Sequence, residues 1–177
     1  MKSSEADPWP VIVRLDEVGK RLDRRMLADE MDRARIAKAL GLEALNLLEA
    51  DVAILQTGPG GEVRGQVHAK VVQICGVSLE PFETDIRSDF SIPFTTEPAA
   101  GADDAEDHEF GLADLDAPDV IETGVLDIGA YVIEHLALEL DPFPRKPGVE
   151  FEAPPEEHEA SPFAVLAELK PSGKTKA

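Results

Sequence analysis

Two long stretches in the middle of the chain alternate strictly between apolar and polar positions. The second of them runs from Phe82 to Phe94. Successive side chains of a β-strand point to opposite faces of a sheet. This period of two therefore predicts two strands, each with one buried and one solvent-exposed face. The first stretch places its small and aliphatic residues on one face: Val63, Gly65, Val67, Ala69 and Val71.

A third strand is expected just before these two. Residues 44–57 form a largely apolar run, and Gly58-Pro59-Gly60-Gly61 follows it with turn residues. This glycine-rich turn lacks the Lys-Ser/Thr and the helix of a phosphate-binding loop, so a hairpin turn is favoured. A second break lies between Gly76 and Pro81. Three consecutive strands joined by short turns predict an antiparallel meander with one face on a core.

Two segments have the end signals of helices. Residues 28–40 carry acidic residues in the first turns and are followed by Gly41, a residue typical of helix C-termini. Residues 128–140 follow Asp127, a candidate N-cap, and present a wide apolar stripe that ends before Pro142.

Shorter strands are expected from Trp9 to Leu15 and again at Val120 and Ile121, where β-branched residues recur. With the meander and the helices, these segments predict an α+β fold. Its sheet is expected to be an antiparallel, partly barrel-like meander that carries two main helices.

Charge and proline content divide the chain into a domain and its flanking segments. Residues 1–8 are expected to be flexible, and residues 9–148 to form a single domain. Within it, residues 96–119 hold nine acidic residues and no Lys or Arg, which predicts an acidic mobile loop. Residues 149–177 form a Pro/Glu-rich tail, expected to be disordered apart from a short helix near 162–170.

The charge balance limits the choice of partner. The chain has 36 acidic and 17 basic residues, a net charge of −19, which disfavours direct binding to a phosphate backbone. Residues 1–75 are nearly neutral, with 11 basic and 12 acidic residues, whereas residues 76–177 have 6 and 24. The second half therefore suits a basic protein partner, and an RNA contact is expected only in the first half.

Two groups of residues are candidate contacts. The first is the only dense basic cluster, a possible partner or RNA contact: Arg14, Lys20, Arg21, Arg24 and Arg25. Interleaved acidic residues weaken its field, so a solvated loop is the favoured alternative. The second is the apolar side of the C-terminal segment, which either docks on a partner groove or packs on its own domain: Phe163, Leu166 and Leu169.

Catalytic and metal-binding patterns are lacking. Cys75 is the single cysteine, which excludes an intramolecular disulfide and a thiolate zinc cage, and its place on the apolar strand face predicts an inert, buried side chain. The four histidines lack metal-ligand spacing, and no Gly-x-Ser-x-Gly motif occurs. We expect no enzyme, cofactor or metal. A hydrolase that uses Cys75 or His68 and a structural homo-oligomer are the alternatives.

No membrane-directed segment is expected. The first ten residues lack the apolar core of a signal peptide, and the apolar runs are too short to cross a bilayer. A cytoplasmic location is the resulting expectation.

Several segments resemble the YceD family, the large ribosomal RNA subunit accumulation proteins. The most specific is the central segment, in which Cys75 is followed by Leu79-Glu80-Pro81. The final one resembles the ending of alphaproteobacterial members. The similar segments are Arg35–Leu42, Gly65–Phe82, Ile121–Leu138, Asp141–Arg145 and Ser161–Leu166.

The resemblance implies a function and also contains a departure. It implies a part in synthesis, processing or stability of large-subunit ribosomal RNA, with no enzymatic activity to carry over. Many members have a Cys-x-x-Cys pair, but here Ser78 stands at the position of the second cysteine, so metal binding or redox chemistry by such a pair is not expected. The leading hypothesis is an accessory protein of ribosome biogenesis that binds a basic ribosomal protein or assembly factor.

Overall fold

The computed structural model describes residues 7–97 and 117–151. Most of the expected flexible N-terminus, most of the acidic loop and nearly all of the tail lie outside the described residues. The same holds for the helix near 162–170 and its docking residues Phe163, Leu166 and Leu169.

The described chain forms seven strands and three helices. Strands β2 to β6 make a five-stranded sheet in sequential order, antiparallel except for the parallel pair β5–β6, and β1 pairs with β7. The elements are β1 (Ile12–Arg14), α1 (Leu15–Val18), β2 (Arg21–Leu27), α2 (Glu30–Leu40), β3 (Ala44–Thr57), β4 (Gly60–Ile74), β5 (Pro81–Thr95), β6 (Asp119–Val120), β7 (Val125–Asp127) and α3 (Ile128–Glu139).

The α+β class and the antiparallel meander are confirmed, but the expected partial barrel is wrong. In the described chain, β2 and β6 lie at opposite edges of the sheet and do not pair with each other. A sheet closes into a barrel only when its first and last strands meet. The sheet is therefore open, and both of its edges remain.

The long strands β3, β4 and β5 determine where the core lies. Their ladders put Ile54 opposite Val63, and Val63 opposite Ile92, with β4 in the centre. The apolar positions share one side of the sheet, here called the inner face, and pack with Ile36 of α2 and Leu136 of α3 in one core. Each fully buried side chain of this size stabilises the fold by about 1.5–3 kcal/mol.

Both main helices begin at an aspartate cap. The Asp29 side chain accepts a hydrogen bond from the Asp32 amide at 2.7 Å, so α2 begins at Glu30 and not at residue 28, as the sequence had suggested. Asp127 accepts from the amides of Gly129 and Ala130 and confirms the predicted start of α3.

The N-terminal part differs most from the expectation. The strand expected from Trp9 to Leu15 is reduced to β1, because Leu15 already belongs to α1. Strand β2 was not predicted at all, since its only apolar residues are Leu22, Met26 and Leu27, which do not alternate regularly with the polar ones. The basic cluster therefore lies partly on a strand rather than in a solvated loop.

The two edges of the large sheet differ in length and charge. At one edge lies β2, whose exposed side chains include three arginines. At the other edge, β6 pairs only with Phe94 and Thr95 of β5. The segment of β5 from Pro81 to Pro93 thus has β4 as its only strand neighbour among the described residues.

Gly65 allows an aromatic ring to lie against the centre of the sheet. It stands opposite Phe90 in the β4–β5 ladder, and a Cβ added at Gly65 would come within 2.2 Å of the Phe90 ring. That distance is far below van der Waals contact, so any larger residue must displace Phe90. Gly65 is therefore a packing requirement of the inner face.

We predict that Gly65→Ala lowers the free energy of unfolding by about 1–3 kcal/mol, the usual cost of overpacking. Urea denaturation followed by circular dichroism measures it. Gly76→Ala is the matched control, because a Cβ there meets only the Pro144 carbonyl oxygen at 3.7 Å. Equal stability of the two variants would contradict the proposed packing.

Candidate interaction surface

The face of the large sheet opposite the helices, here called the outer face, is polar and partly concave. A groove of about 880 Å³ crosses β2 to β5, with Ala53 and Leu55 among its lining residues. A second groove of about 300 Å³ lies around His68, and the two share Asp51 and Gln66 in their linings. The outer face is thus a continuous, open surface rather than a closed cavity.

The predicted basic cluster is divided among several places. Arg14 lies in β1 of the small sheet, Lys20 in the turn before β2, and Arg21 and Arg25 on the outer face. Arg24 stands opposite the buried Val52 and so belongs to the inner side of the edge. The structure therefore does not bring these five residues together as one patch.

Ion pairs within single strands neutralise most of the outer-face arginines. Residues two apart share a face, and three strands place an arginine two positions from an acidic residue. The pairs are Arg21–Asp23 at 2.7 Å, Arg64–Glu62 at 2.6 Å and Arg87–Asp85 at 3.1 Å. Exposed pairs of this kind add little stability, but they weaken the field that a phosphate group would feel.

His68 lies between two carboxylates from the neighbouring strands. Its Nδ1 is 3.0 Å from Glu49 Oε1 on β3, and its Nε2 is 3.2 Å from Asp85 Oδ2 on β5. Hydrogen bonds to Glu49 and Asp85 raise the pKa of His68 above its ordinary 6.5, and they lower the pKa of both carboxyl groups. The side chain is only 19% exposed, and both ring nitrogens have partners, which suits a structural charge network better than proton transfer to a substrate.

Cys75 is fully buried, as expected, but its surroundings are polar. The amides of Val77, Ser78 and Lys146 each donate to its Sγ at 3.4 Å. Hydrogen bonds from the Ser78 side chain and from these backbone amides lower the pKa of the thiol from 9.0 to about 6. A cysteine predicted to be an inert hydrophobe therefore lies among hydrogen-bond donors that favour its thiolate form.

The residues after Cys75 form a tight turn between β4 and β5. The Cys75 amide donates to the Glu80 carbonyl oxygen at 2.9 Å, and the Leu79 amide donates to the Cys75 carbonyl oxygen at 2.9 Å. Leu79 has a φ of +59° and is 75% exposed, whereas Glu80 pairs with Lys146 at 2.8 Å. Pro81 begins β5. The family-like motif thus builds the turn and ties it to the segment after α3.

Neither a metal centre nor a membrane segment is found in the described residues. Across 7–97 and 117–151, no three His, Cys, Asp or Glu side chains are grouped so that they could hold a metal ion. Over the same ranges, none of the helices has the length and apolar character needed to cross a bilayer.

The charged network around His68 was missed in the sequence, where the histidines were noted only for lacking metal-ligand spacing and His68 only as a residue of the alternative hydrolase. Glu49 and Asp85 are 19 and 17 residues away from it along the chain. Only the strand register brings them to its ring: Glu49 stands opposite His68 on β3, and Asp85 lies two positions from Arg87, which stands opposite His68 on β5. The sequence gives no local signal for it.

Comparison with known proteins gives one match. A family model described as "Large ribosomal RNA subunit accumulation protein YceD" matches residues 63–170, more than half of the chain. Among the described elements, the matched region runs from β4 to α3 and includes the Cys75 turn. No curated protein and no solved structure matches the chain.

We predict that the His68 imidazole titrates above pH 6.5 in the folded protein, which an NMR titration of its ring protons measures. Because the pKa of His68 is higher in the folded state, its interactions with the two carboxylates stabilise the fold fully below the pKa of the unfolded state. This contribution to the free energy of unfolding is lost as pH rises through the pKa of the folded state. Glu49→Gln should lower the midpoint, whereas Glu30→Gln, in α2, should leave it unchanged. A wild-type midpoint at or below 6.5 would refute the network.

We also predict that Cys75 ionises near pH 6 in the folded protein and near 9.0 in denaturant. The ultraviolet absorbance of the thiolate follows both transitions, and Cys75→Ala supplies the baseline. Because the folded pKa is depressed, the thiolate stabilises the fold fully above the unfolded pKa, and this contribution is lost as pH falls through about 6. A native transition near 9.0 would show that the three amides do not stabilise the thiolate.

Proposed function

Since the chain belongs to the YceD family of large ribosomal RNA subunit accumulation proteins, we propose that it is a non-enzymatic accessory protein of ribosome biogenesis. It supports the synthesis, processing or stability of large-subunit ribosomal RNA by binding a partner. The family match is the observation that carries this proposal. A cytoplasmic location, beside the ribosomal RNA, is part of it.

The partner we propose is a basic protein, such as a ribosomal protein or an assembly factor. A chain with a net charge of −19 attracts basic surfaces and repels nucleic acid at long range. Because the outer-face arginines are largely paired with acidic residues, they are poor phosphate contacts. Arg24 and Lys20 have no ion-pair partner among the described residues and leave room for only a small RNA contact.

Binding without catalysis fits the surroundings of the two candidate catalytic groups. The partners of the Cys75 thiol are backbone amides and Ser78, and those of His68 are two carboxylates on an open sheet face. No described contact joins the thiol to an imidazole. A nucleophile needs a base within hydrogen-bond reach and access to a substrate, and the buried Cys75 has neither in the described structure.

We predict that a strain lacking the protein has a lower ratio of large-subunit to small-subunit ribosomal RNA. Quantitative RNA analysis measures the ratio, and expression of the wild-type chain should restore it. Since the proposed role needs no catalysis, Cys75→Ala and His68→Gln should restore it as well. An unchanged ratio contradicts the role in ribosomal RNA accumulation, and a stable, folded variant that fails to restore the ratio contradicts the non-enzymatic part.

The nature of the partner is tested by affinity purification of the tagged full chain at low and moderate salt. We expect a basic ribosomal protein or assembly factor to co-purify at low salt and to decrease at moderate salt, because salt screens attraction between exposed charges. Recovery of RNA alone, after nuclease-free purification, would contradict a protein partner.

A further inference from the structure

The free edge of β5 offers a long row of unused backbone groups. Its register with β4 continues without a break from Pro81 to Thr95, whereas β6 covers only the last two of these residues. No other backbone hydrogen bond within the described structure reaches the edge between Pro81 and Pro93. An unpaired edge of this kind is a template for another strand.

The direction of individual backbone groups follows from the bonds at the two ends of β5. The Thr95 carbonyl oxygen accepts from Ile121 on the β6 side, whereas the Glu80 carbonyl oxygen accepts from Cys75 on the β4 side. Because backbone groups alternate along a strand, the odd-numbered residues point toward the free edge. The residues that offer both N–H and C=O there are Glu83, Asp85, Arg87, Asp89 and Ser91.

The two prolines of β5 agree with this assignment. Pro81 and Pro93 are also odd-numbered, so the N–H that each proline lacks would have pointed toward the free edge. Neither proline therefore removes a hydrogen bond from the ladder with β4. They bracket the available segment and limit an added strand to the stretch between them. That stretch is long enough for a stable strand of ordinary length.

The inner side of the edge is apolar and incompletely covered. Phe82, Ile86 and Ile92 are only partly buried, although all three point to the inner face. A groove of about 410 Å³ runs beside Phe82 and Ile86, and its lining includes Glu139, Asp141 and Arg145. A strand added to β5 would cover these side chains with its own apolar residues.

The outer side of the same edge is acidic. Glu83, Asp85 and Asp89 project there. Asp85 is paired with Arg87 and His68, so Glu83 and Asp89 are the carboxylates at this edge without an ion-pair partner among the described residues. Alternate residues of an added strand would lie beside these carboxylates, where Lys or Arg is favoured and acidic residues are repelled.

We infer that the free edge of β5 binds an extended segment of a basic protein as an additional strand, with Lys or Arg alternating with aliphatic residues. The inference rests on the proposed function in taking the partner to be a basic protein. Main-chain hydrogen bonds to the odd-numbered residues supply affinity, and the alternating side chains supply specificity.

Two other occupants are less compatible with the edge. A second copy paired antiparallel about Arg87 would place Asp85 opposite Asp89 and the two Arg87 side chains opposite each other, and like charges directly opposite destabilise a sheet. In the C-terminal tail, residues 152–160 are rich in Glu and contain no Lys or Arg, so the same carboxylates repel this stretch; Lys170, Lys174 and Lys176 lie beyond it, in residues 161–177.

The probe for this edge is a synthetic peptide of about ten residues, the length of a long strand, in which Lys alternates with Val. We expect it to bind the full chain and to slow hydrogen exchange at the odd-numbered amides between Pro81 and Pro93. A peptide of the same composition with Lys and Val in separate blocks, and one N-methylated at alternate amides, should bind about tenfold more weakly or worse, because they lose pattern and main-chain bonds.

A pair of variants at one position separates backbone pairing from charge. Arg87→Pro removes an outward N–H without breaking the β4 ladder, and Arg87→Ala removes the same charge but keeps the N–H. We expect peptide affinity to be about tenfold lower in Arg87→Pro than in Arg87→Ala, and the affinity of Arg87→Ala to equal or exceed that of the wild type, because a positive charge beside the basic peptide is lost. Asp89→Lys should also weaken binding, because it opposes the basic peptide.

The outcomes are distinct. Equal affinities of folded Arg87→Pro and Arg87→Ala, or no difference between the plain and N-methylated peptides, would overturn the strand-addition mode; the peptide comparison holds even if Arg87→Pro fails to fold. Self-association that disappears in Arg87→Pro would identify a second copy as the occupant. The ribosomal RNA ratio is measured separately, in the strain that lacks the protein. A normal ratio together with peptide binding would contradict only the proposed function. A low ratio without peptide binding would contradict only the proposed binding at the β5 edge.

Discussion

The backbone ladder that joins β3, β4 and β5 is the constraint on which the rest of the structure depends. Because the three strands keep one register over most of their length, most of their aliphatic positions point to one side. That side becomes the core, against which α2 and α3 pack. The same register collects the charged positions on the outer face, and the fixed order of the strands leaves one edge at β2 and another along β5.

The charge pattern that results favours selective attraction over a uniform field. On the outer face, arginines and acidic residues two positions apart neutralise each other. The net charge still differs between the two edge strands: β2 has three arginines and one aspartate, whereas β5 has three acidic residues and one arginine. A partner strand with basic residues is therefore repelled by one edge and attracted by the other, which gives an acidic protein a preferred side for binding.

The two groups that first suggest catalysis show how the fold restrains reactive side chains. The Cys75 thiol is held by backbone amides in a turn that is closed by the segment after α3, while His68 is held by carboxylates from both neighbouring strands. In each case the charged form is stabilised by fixed neighbours. Such groups add order to the scaffold, and the surfaces between them remain available for a partner.

The α+β class, the three central strands, the two main helices, the cap at Asp127 and the family could all be predicted from the sequence. These depend on local signals: the period of two, the apolar stripe, the cap at Asp127 and the motif after Cys75. Four features required the three-dimensional arrangement: β2 is an edge strand, the sheet is open, His68 lies between Glu49 and Asp85, and one side of β5 is free of other described strands between Pro81 and Pro93. These features depend on which strands are neighbours and in what register, and a residue's own sequence context does not encode what faces it across a sheet.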